Sequence, residues 1–409
     1  MAVAMEMAVN SQAVPEGVPA SGMARLASID AYRGLVMLLM MAEVLHLGHL
    51  ARAFPENSTL AFIAHQQSHV EWLGCTLHDL IQPSFSFLVG LSLVFSLESR
   101  RRRGEPWGWS VAHAGWRALL LILLGIWLRS LGRPQANFTF EDTLTQIGLG
   151  YLPLFLIALA SARVWWICLV VILAGYWAAF VVYPVPGPDF DYAAVGVKEA
   201  DWHGEGLAAH WNKNSNLAWA FDQWFLNLFP RAKPFEYNGG GYATLSFIPT
   251  LATMLLGLIA GGWLRGAWSP RAKLGAFVVG GLVCLAAGYA LDHYGICPGI
   301  KRIWSPAWVL FSGGWCLLFL AFFYLMGDFT GWTAWSFPLR VIGMNPIAAY
   351  LISHLIEGFI RANFTTFLGK DFFRFLGADL EATLTGAAIL LVYWLILLWM
   401  ERRRIFLRV

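Results

Sequence analysis

Apolar residues run along this chain in long blocks separated by short polar clusters. A hydrocarbon layer of about 30 Å takes roughly 20 helical residues to cross. Ten blocks approach or reach that length, at approximately 32–50, 77–97, 116–131, 144–160, 164–182, 245–264, 274–291, 307–326, 339–356 and 384–400. The pattern predicts an all-α, polytopic membrane protein of about ten transmembrane helices. Pro83 and Pro346 fall inside two of the blocks and are expected to break or kink their helices, since proline removes a backbone hydrogen bond. One connection, 184–244, is far too long for a turn and carries Trp202, Trp211, Trp219 and Trp224. It is expected to be an ordered cap, with its tryptophans either anchoring at the membrane interface or facing a sugar.

Composition agrees with the block pattern. With 58% hydrophobic and 13% charged residues, the chain is too apolar for a domain that must cover its own core with water-facing side chains. The net charge of +3 is small, and the basic residues cluster at block ends instead of forming a nucleic-acid face. Arg25, Arg100 to Arg103 with Arg117, the set Arg265, Arg271 and Lys273, and Arg402 to Arg404 share one side if the helices alternate. Excess Lys and Arg marks the cytoplasmic side, so both termini are expected there. The 184–244 connection, with more acidic than basic side chains, is then extracytoplasmic. Residues 1–24 lack the order of a signal peptide and are read as a disordered cytoplasmic tail before a ten-helix domain over 25–409. The five cysteines show no metal-ligand spacing. Cys75 and Cys297 both fall near the outer boundary, and free thiols are the expectation for them.

The candidate chemistry concentrates at the outer ends of the first two helices. Ionisable groups inside or against a spanning segment are costly to keep and raise a functional hypothesis. His69, His78 and Asp79 stand in HVEWLGCTLHDLIQPSF, at the start of the second helix. Glu43 and His46, spaced i, i+3 on the first helix, are expected to face the interior and each other, as a structural contact or a catalytic one. Asp30 and Arg33 have the same spacing at the other end of that helix, where an ion pair is expected. The tetra-arginine loop has a topological reading and a second one, as a grip on an anionic cytosolic ligand. Asn345, beside Pro346, is available to freed backbone groups or to a ligand. No Walker loop, dinucleotide fingerprint or HExxH motif occurs.

The motifs SIDAYRG, the spacing of His69 through Pro83, and KRIWSPAWVLFSGGW followed by GMNPIAAYLISH resemble the transmembrane acetyltransferases related to heparan-alpha-glucosaminide N-acetyltransferase. The resemblance runs from about residue 25 to the end of the chain. It implies transfer of an acetyl group from cytosolic acetyl-CoA to an amine or hydroxyl of an extracytoplasmic sugar or glycan. It also implies an integral protein of a cell's inner membrane, with a homo-oligomer left open. His69 occupies the position of the family's catalytic histidine, followed at family spacing by Trp72, Gly74, Asp79 and Pro83. In that reading His69 is a general base or a transient acetyl carrier, Asp79 or Glu43 orients an imidazole, and Asn345 supplies an oxyanion donor. Arg33 and Arg117, with the Arg100 to Arg103 run, are the expected phosphate contacts of acetyl-CoA. The chain departs from the family at Glu43 or Val44, at Leu144 to Gln146, at Gly240 to Ala243 and at Ile300, all on the acceptor side. The rival reading of the same ionisable groups and proline-broken helices is a proton-coupled secondary transporter.

Overall fold

The computed structural model describes residues 26–407. The tail expected over 1–24, and Arg25, lie outside the described residues. Every regular element among them is helical; the nearest thing to a strand is one isolated bridge between Leu73 and Ile300.

The first apolar block forms α1 (Ala27–Met41), a single 3-10 turn (Ala42–Leu45) and α2 (Leu47–Ala53), with a bend of 47° at His46. His46 itself adopts a left-handed backbone, φ 50°. After α3 (Ser58–Gln66) and a loop carrying His69 come a 3-10 turn (His78–Leu80) and α4 (Ile81–Arg102). The core continues through α5 (Trp107–Ser130), α6 (Thr143–Ala158) and α7 (Ala162–Val182). The long connection follows, with α8 (Leu217–Phe225) inside it, and then α9 (Phe247–Arg265), α10 (Pro270–His293) and α11 (Pro306–Phe323). The chain closes with α12 (Phe337–Gly343), α13 (Pro346–Leu355), α14 (Glu357–Leu368) and α15 (Ala378–Arg402).

Among the described residues, seven helices are long and apolar enough to cross a membrane, and eight if the bent α1–α2 pair counts as one span. This is an integral membrane protein. Each of the ten expected blocks is helical, but the fourth yields only the 16 residues of α6, and the ninth is divided between α12 and α13. The break at Pro346 occurs as expected: Pro346 opens α13, where its missing N–H costs nothing. Pro83 does not break its helix. It stands in the first turn of α4, whose N–H groups have no intrahelical partner in any case, so the 25-residue span His78–Arg102 runs unbroken.

Two faces follow from the contacts between connections. At one, Arg265 from α9 pairs with Glu98 of α4 at 3.0 Å, and Leu407 lies beside Arg100 and Arg117. At the other, Arg302 donates to the carbonyls of Gly240 (2.6 Å) and Val70 (3.1 Å), and Asn238 donates to Glu141 (3.3 Å). We call these the arginine-rich face and the capped face. The cap is ordered: Trp211 is fully buried and stacks on Phe180 of α7 with centroids 4.3 Å apart.

Inside, α4 and α9 meet backbone to backbone. A Cβ on Gly90 would lie 1.8 Å from the Met254 carbonyl oxygen, and one on Gly257 would lie 1.9 Å from that of Phe87, so only glycine permits the crossing. One apolar core gathers around α4, α6, α9 and α11. A second joins the far side of α1 to α12, α13 and α15. Phe85 and Tyr350 pack against both.

Candidate active site

The loop after α3 turns back on itself so that the start of α4 closes a polar cluster. Asp79, with no exposed surface, is its centre. Asp79 Oδ1 lies 2.8 Å from His69 Nδ1 and 2.9 Å from Lys301 Nζ. Asp79 Oδ2 accepts the backbone N–H of Thr76 (3.1 Å) and of Val70 (3.3 Å), with the Thr76 hydroxyl at 2.9 Å. A buried carboxylate is tolerated only when it is fully hydrogen-bonded and neutralised. Lys301, itself 5% exposed, supplies the counter-charge.

His69 Nδ1 faces two partners at once: the Asp79 carboxylate at 2.8 Å, which can only accept, and Lys301 Nζ at 3.0 Å, which as an ammonium can only donate. With the proton on Nδ1 toward Asp79, Nε2 carries the lone pair. Burial lowers the His69 pKa, Lys301 at 3.0 Å from Nδ1 lowers it further, and the hydrogen bond to Asp79 opposes them without prevailing. The ring is therefore neutral at neutral pH. Burial likewise lowers the pKa of Lys301, against the pull of Asp79.

A second pair flanks the first. His78 is buried, its Nε2 lies 3.0 Å from Glu43 Oε1, and its ring centroid is 4.5 Å from that of His69. Glu43 and His46 do not face each other. The helix ends at Met41 and the left-handed turn at His46 sends that ring toward α14, 3.5 Å from Arg361 Nη2. Helical i, i+3 spacing loses its meaning across such a break.

Both pairs open on a cavity of about 360 Å³ at the capped end. Its far wall comes from Arg129, Glu141, Asn238 and Tyr242. Burial raises the pKa of Glu141, which accepts from Asn238 and from the Thr139 hydroxyl.

A second cavity, of about 600 Å³, lies on the arginine-rich side. Its walls are largely apolar, with Arg33, Arg100, His113 and Arg117 among them. Arg33 donates to Asp30 (3.3 Å), to Ser92 (2.9 Å) and to the Gly343 carbonyl (3.3 Å). Arg117 donates to the Tyr151 hydroxyl (3.1 Å) and lies over its ring, while its buried Nε donates to nothing among the described residues. Of the tetra-arginine run only Arg100 reaches this cavity; Arg102 and Arg103 pair with Glu98 and Glu105.

The two cavities are stacked on the same helices. On α1, Arg33 faces one and Met37 the other; on α13, Ile347 and Tyr350 divide in the same way. Phe85 of α4 lines both.

Asn345 is not brought to the His69 cluster. Its amide donates to the Ile405 carbonyl (2.7 Å) and accepts from the Leu407 N–H (3.0 Å), which ties the segment after α15 to the start of α13. Asn345 lines neither cavity, so the oxyanion role expected for it has no geometric support here. Cys75 and Cys297 are both free thiols. Lys301, in contrast, acquires a place in the centre of the cluster that its position in a loop between apolar blocks did not signal.

Comparison with known proteins adds a relative. Over 379 residues, 82% of this chain, the sequence is 24% identical to heparan-alpha-glucosaminide N-acetyltransferase from Homo sapiens. The chain is related to that family. It spans about half (53%) of the length of the human protein. No family model matches the sequence.

Proposed function

We propose that this chain is a membrane-embedded acyltransferase. It takes an acetyl group from acetyl-CoA at the arginine-rich face, read as cytoplasmic, and delivers it to an amine or hydroxyl of a sugar or glycan at the capped face, read as extracytoplasmic. The observation that carries the reading is the pair of stacked cavities sharing Phe85, one with cationic side chains on an apolar slot and the other with a histidine held against a buried carboxylate.

The slot suits a long, flexible donor with an anionic head. Along α4 from Phe85 to Arg100 the helix rises about 22 Å, enough for an extended pantetheine arm, and Arg100, Arg117 and Arg33 are shaped for phosphate oxygens. Arg117 Nε is buried and has no hydrogen-bond partner among the described residues.

At the other end His69 Nε2 acts on the reaction. As a general base it takes the proton from the acceptor N–H or O–H while that atom attacks the thioester carbonyl. The C–S bond breaks, and the CoA thiolate recovers the proton from His69. As a carrier, Nε2 attacks the carbonyl itself, CoA leaves, and the acceptor then displaces the imidazole. Both routes end in free CoA and an acetylated acceptor. Asp79 holds the ring and stabilises its protonated form, and Lys301 neutralises Asp79 in the resting state. Glu43 positions His78 against the His69 ring. Residues 25–409 act as one domain, with 184–244 forming the roof of the acceptor cavity, in a cell's inner membrane.

The test is purified protein in nanodiscs with acetyl-CoA, with and without glucosamine as the probe acceptor. Release of free CoA thiol and formation of acetylated glucosamine are expected. Rapid-quench mass spectrometry of the His69 peptide separates carrier from base. Protein that neither binds acetyl-CoA nor releases CoA from it sinks the reading.

A further inference from the structure

The boundary between the two cavities is one side chain deep on α4. Positions facing them recur at helical spacing along that helix: Gln82 on the capped side, Phe85 on both, then Leu88, Ser92, Ser96 and Arg100 on the arginine-rich side. This is one continuous stripe with a period of 3.6 residues. Phe85 interrupts it with the only aromatic ring on the stripe. The ring packs against both apolar cores, so it bridges the space between them. Its backbone is held on either side: the Tyr32 hydroxyl donates to Ser84 Oγ at 2.8 Å, and Gly90 is locked against α9. The side chain can turn while its Cα cannot withdraw.

We propose that Phe85 is the septum between the chambers and sets the size of the acyl group that passes. This rests on the acyltransferase reading above. A thioester drawn up the apolar slot meets the Phe85 ring just below the His69 cavity. A two-carbon acyl group clears it; each further methylene must find room against a ring that can turn between the two packed cores but cannot withdraw from them. A closed apolar pocket discriminates by about tenfold or more per methylene, so butyryl-CoA is a poor donor for the wild-type protein.

The experiment uses the full chain in nanodiscs and compares acetyl-CoA with butyryl-CoA as donors, with glucosamine as acceptor, in wild type, Phe85→Leu and Phe85→Ala. The acetyl to butyryl ratio of kcat/KM is expected to exceed tenfold in wild type, to fall in Phe85→Leu and to approach one in Phe85→Ala. A ratio unchanged in Phe85→Ala, with both donors slowed alike, overturns the proposal and leaves Phe85 a packing residue. A second measurement is independent of turnover. Val89→Cys, just below the ring, is placed in sealed proteoliposomes and treated with a small, membrane-impermeant cationic methanethiosulfonate added only on the side of the capped face, and labelling at position 89 is read by peptide mass spectrometry. Labelling is expected to be slow with Phe85 present and at least about tenfold faster in the Phe85→Ala background; equal rates overturn the septum. Absence of CoA release from either donor in wild type would count against the acyltransferase reading, while the labelling result still decides for or against the septum.

Discussion

The two chambers solve opposite problems with the same helices. At the capped end the central charge is buried and its contacts are close: Asp79 has acceptor contacts to Lys301, His69, Thr76 and Val70, and the exposed Glu43 has the buried His78. All but Lys301 and Glu43 come from the one loop that carries His69; Lys301 arrives from a connection 222 positions from Asp79. On the arginine-rich side, apolar side chains make the walls and the cations are partnered near at hand, Arg33 by Asp30 and Arg100 by Glu105. A site that must move a proton needs its charges fixed before substrate arrives. A site that must hold a long amphipathic molecule needs apolar length with cationic ends. On the proposed reading, chemistry and grip are separated along the shared helices.

The largest effect that would break this division is at His69. His69→Ala is expected to lower acetyl transfer by about 10²–10⁴-fold while acetyl-CoA affinity stays at the wild-type value, as loss of a group acting in the transition state requires. Isothermal titration alongside initial rates checks both halves. Near-wild-type transfer would discard His69 and promote the Glu43–His78 pair.

Lys301 sharpens the electrostatics of the same chamber. His69 is held below the ordinary imidazole value, so it stays neutral through neutral pH and the rate falls only when pH drops through that depressed pKa. Lys301→Met removes the cation and leaves Asp79, which raises the His69 pKa and moves the acidic limb of the pH–rate profile upward. At a fixed acidic pH the rate is expected to fall about tenfold for each unit of that movement. A limb that stays in place would show that Lys301 does not act on His69.

In the other chamber the expected change is in affinity. Arg117→Ala is expected to raise the acetyl-CoA Kd by about tenfold or more, with the rate at saturating donor preserved, because a charge-assisted contact contributes about 1.5–3 kcal/mol. A lowered saturating rate with unchanged Kd would mean that the two chambers are not functionally separate.

The smallest effect concerns the roof. Asp222 is buried in the cap, accepts the Thr244 N–H at 2.9 Å through one oxygen, and has no partner for the other among the described residues. Burial pushes its pKa up from the ordinary 3.8 to about 7. Between those values the folded protein binds a proton that the unfolded chain does not, so the cap loses stability as pH rises through that window. Asp222→Asn keeps the acceptor oxygen without the charge. It is expected to raise the melting temperature by a few degrees at pH 8 and to change it little at pH 4; equal shifts at both would remove Asp222 as the cause.

Much of this was legible in the sequence because it is local. The apolar blocks mark every helix of the core, and His69 and Asp79 stand ten residues apart in one stretch, so their pairing needed only a single loop to close. What escaped is what depends on distant segments or on a broken helix. Lys301 reads as one half of a basic pair in a turn until α10 and α11 carry that turn over Asp79. Glu43 was matched to His46 on the assumption of an uninterrupted helix, and a 3-10 turn re-aimed it at His78. Asn345 looked available because a proline follows it, yet the segment after α15 had already claimed its amide. Pro83 suggested a break because its place within the helix, first turn or interior, is set by where the preceding loop ends.

The Lys301–Asp79 contact joins residues 222 positions apart, and this has a consequence for biosynthesis. At a synthesis rate of about 5–20 residues per second, Asp79 is made roughly 10–40 s before its counter-cation leaves the ribosome. Through that interval α4 must wait at the insertion machinery with a carboxylate at its leading edge that has no cation to meet. It stays hydrated at the membrane surface or takes up a proton, since an isolated charge in hydrocarbon is strongly disfavoured. Arrival of the α10–α11 hairpin then brings Lys301 to Asp79 and completes the polar cluster.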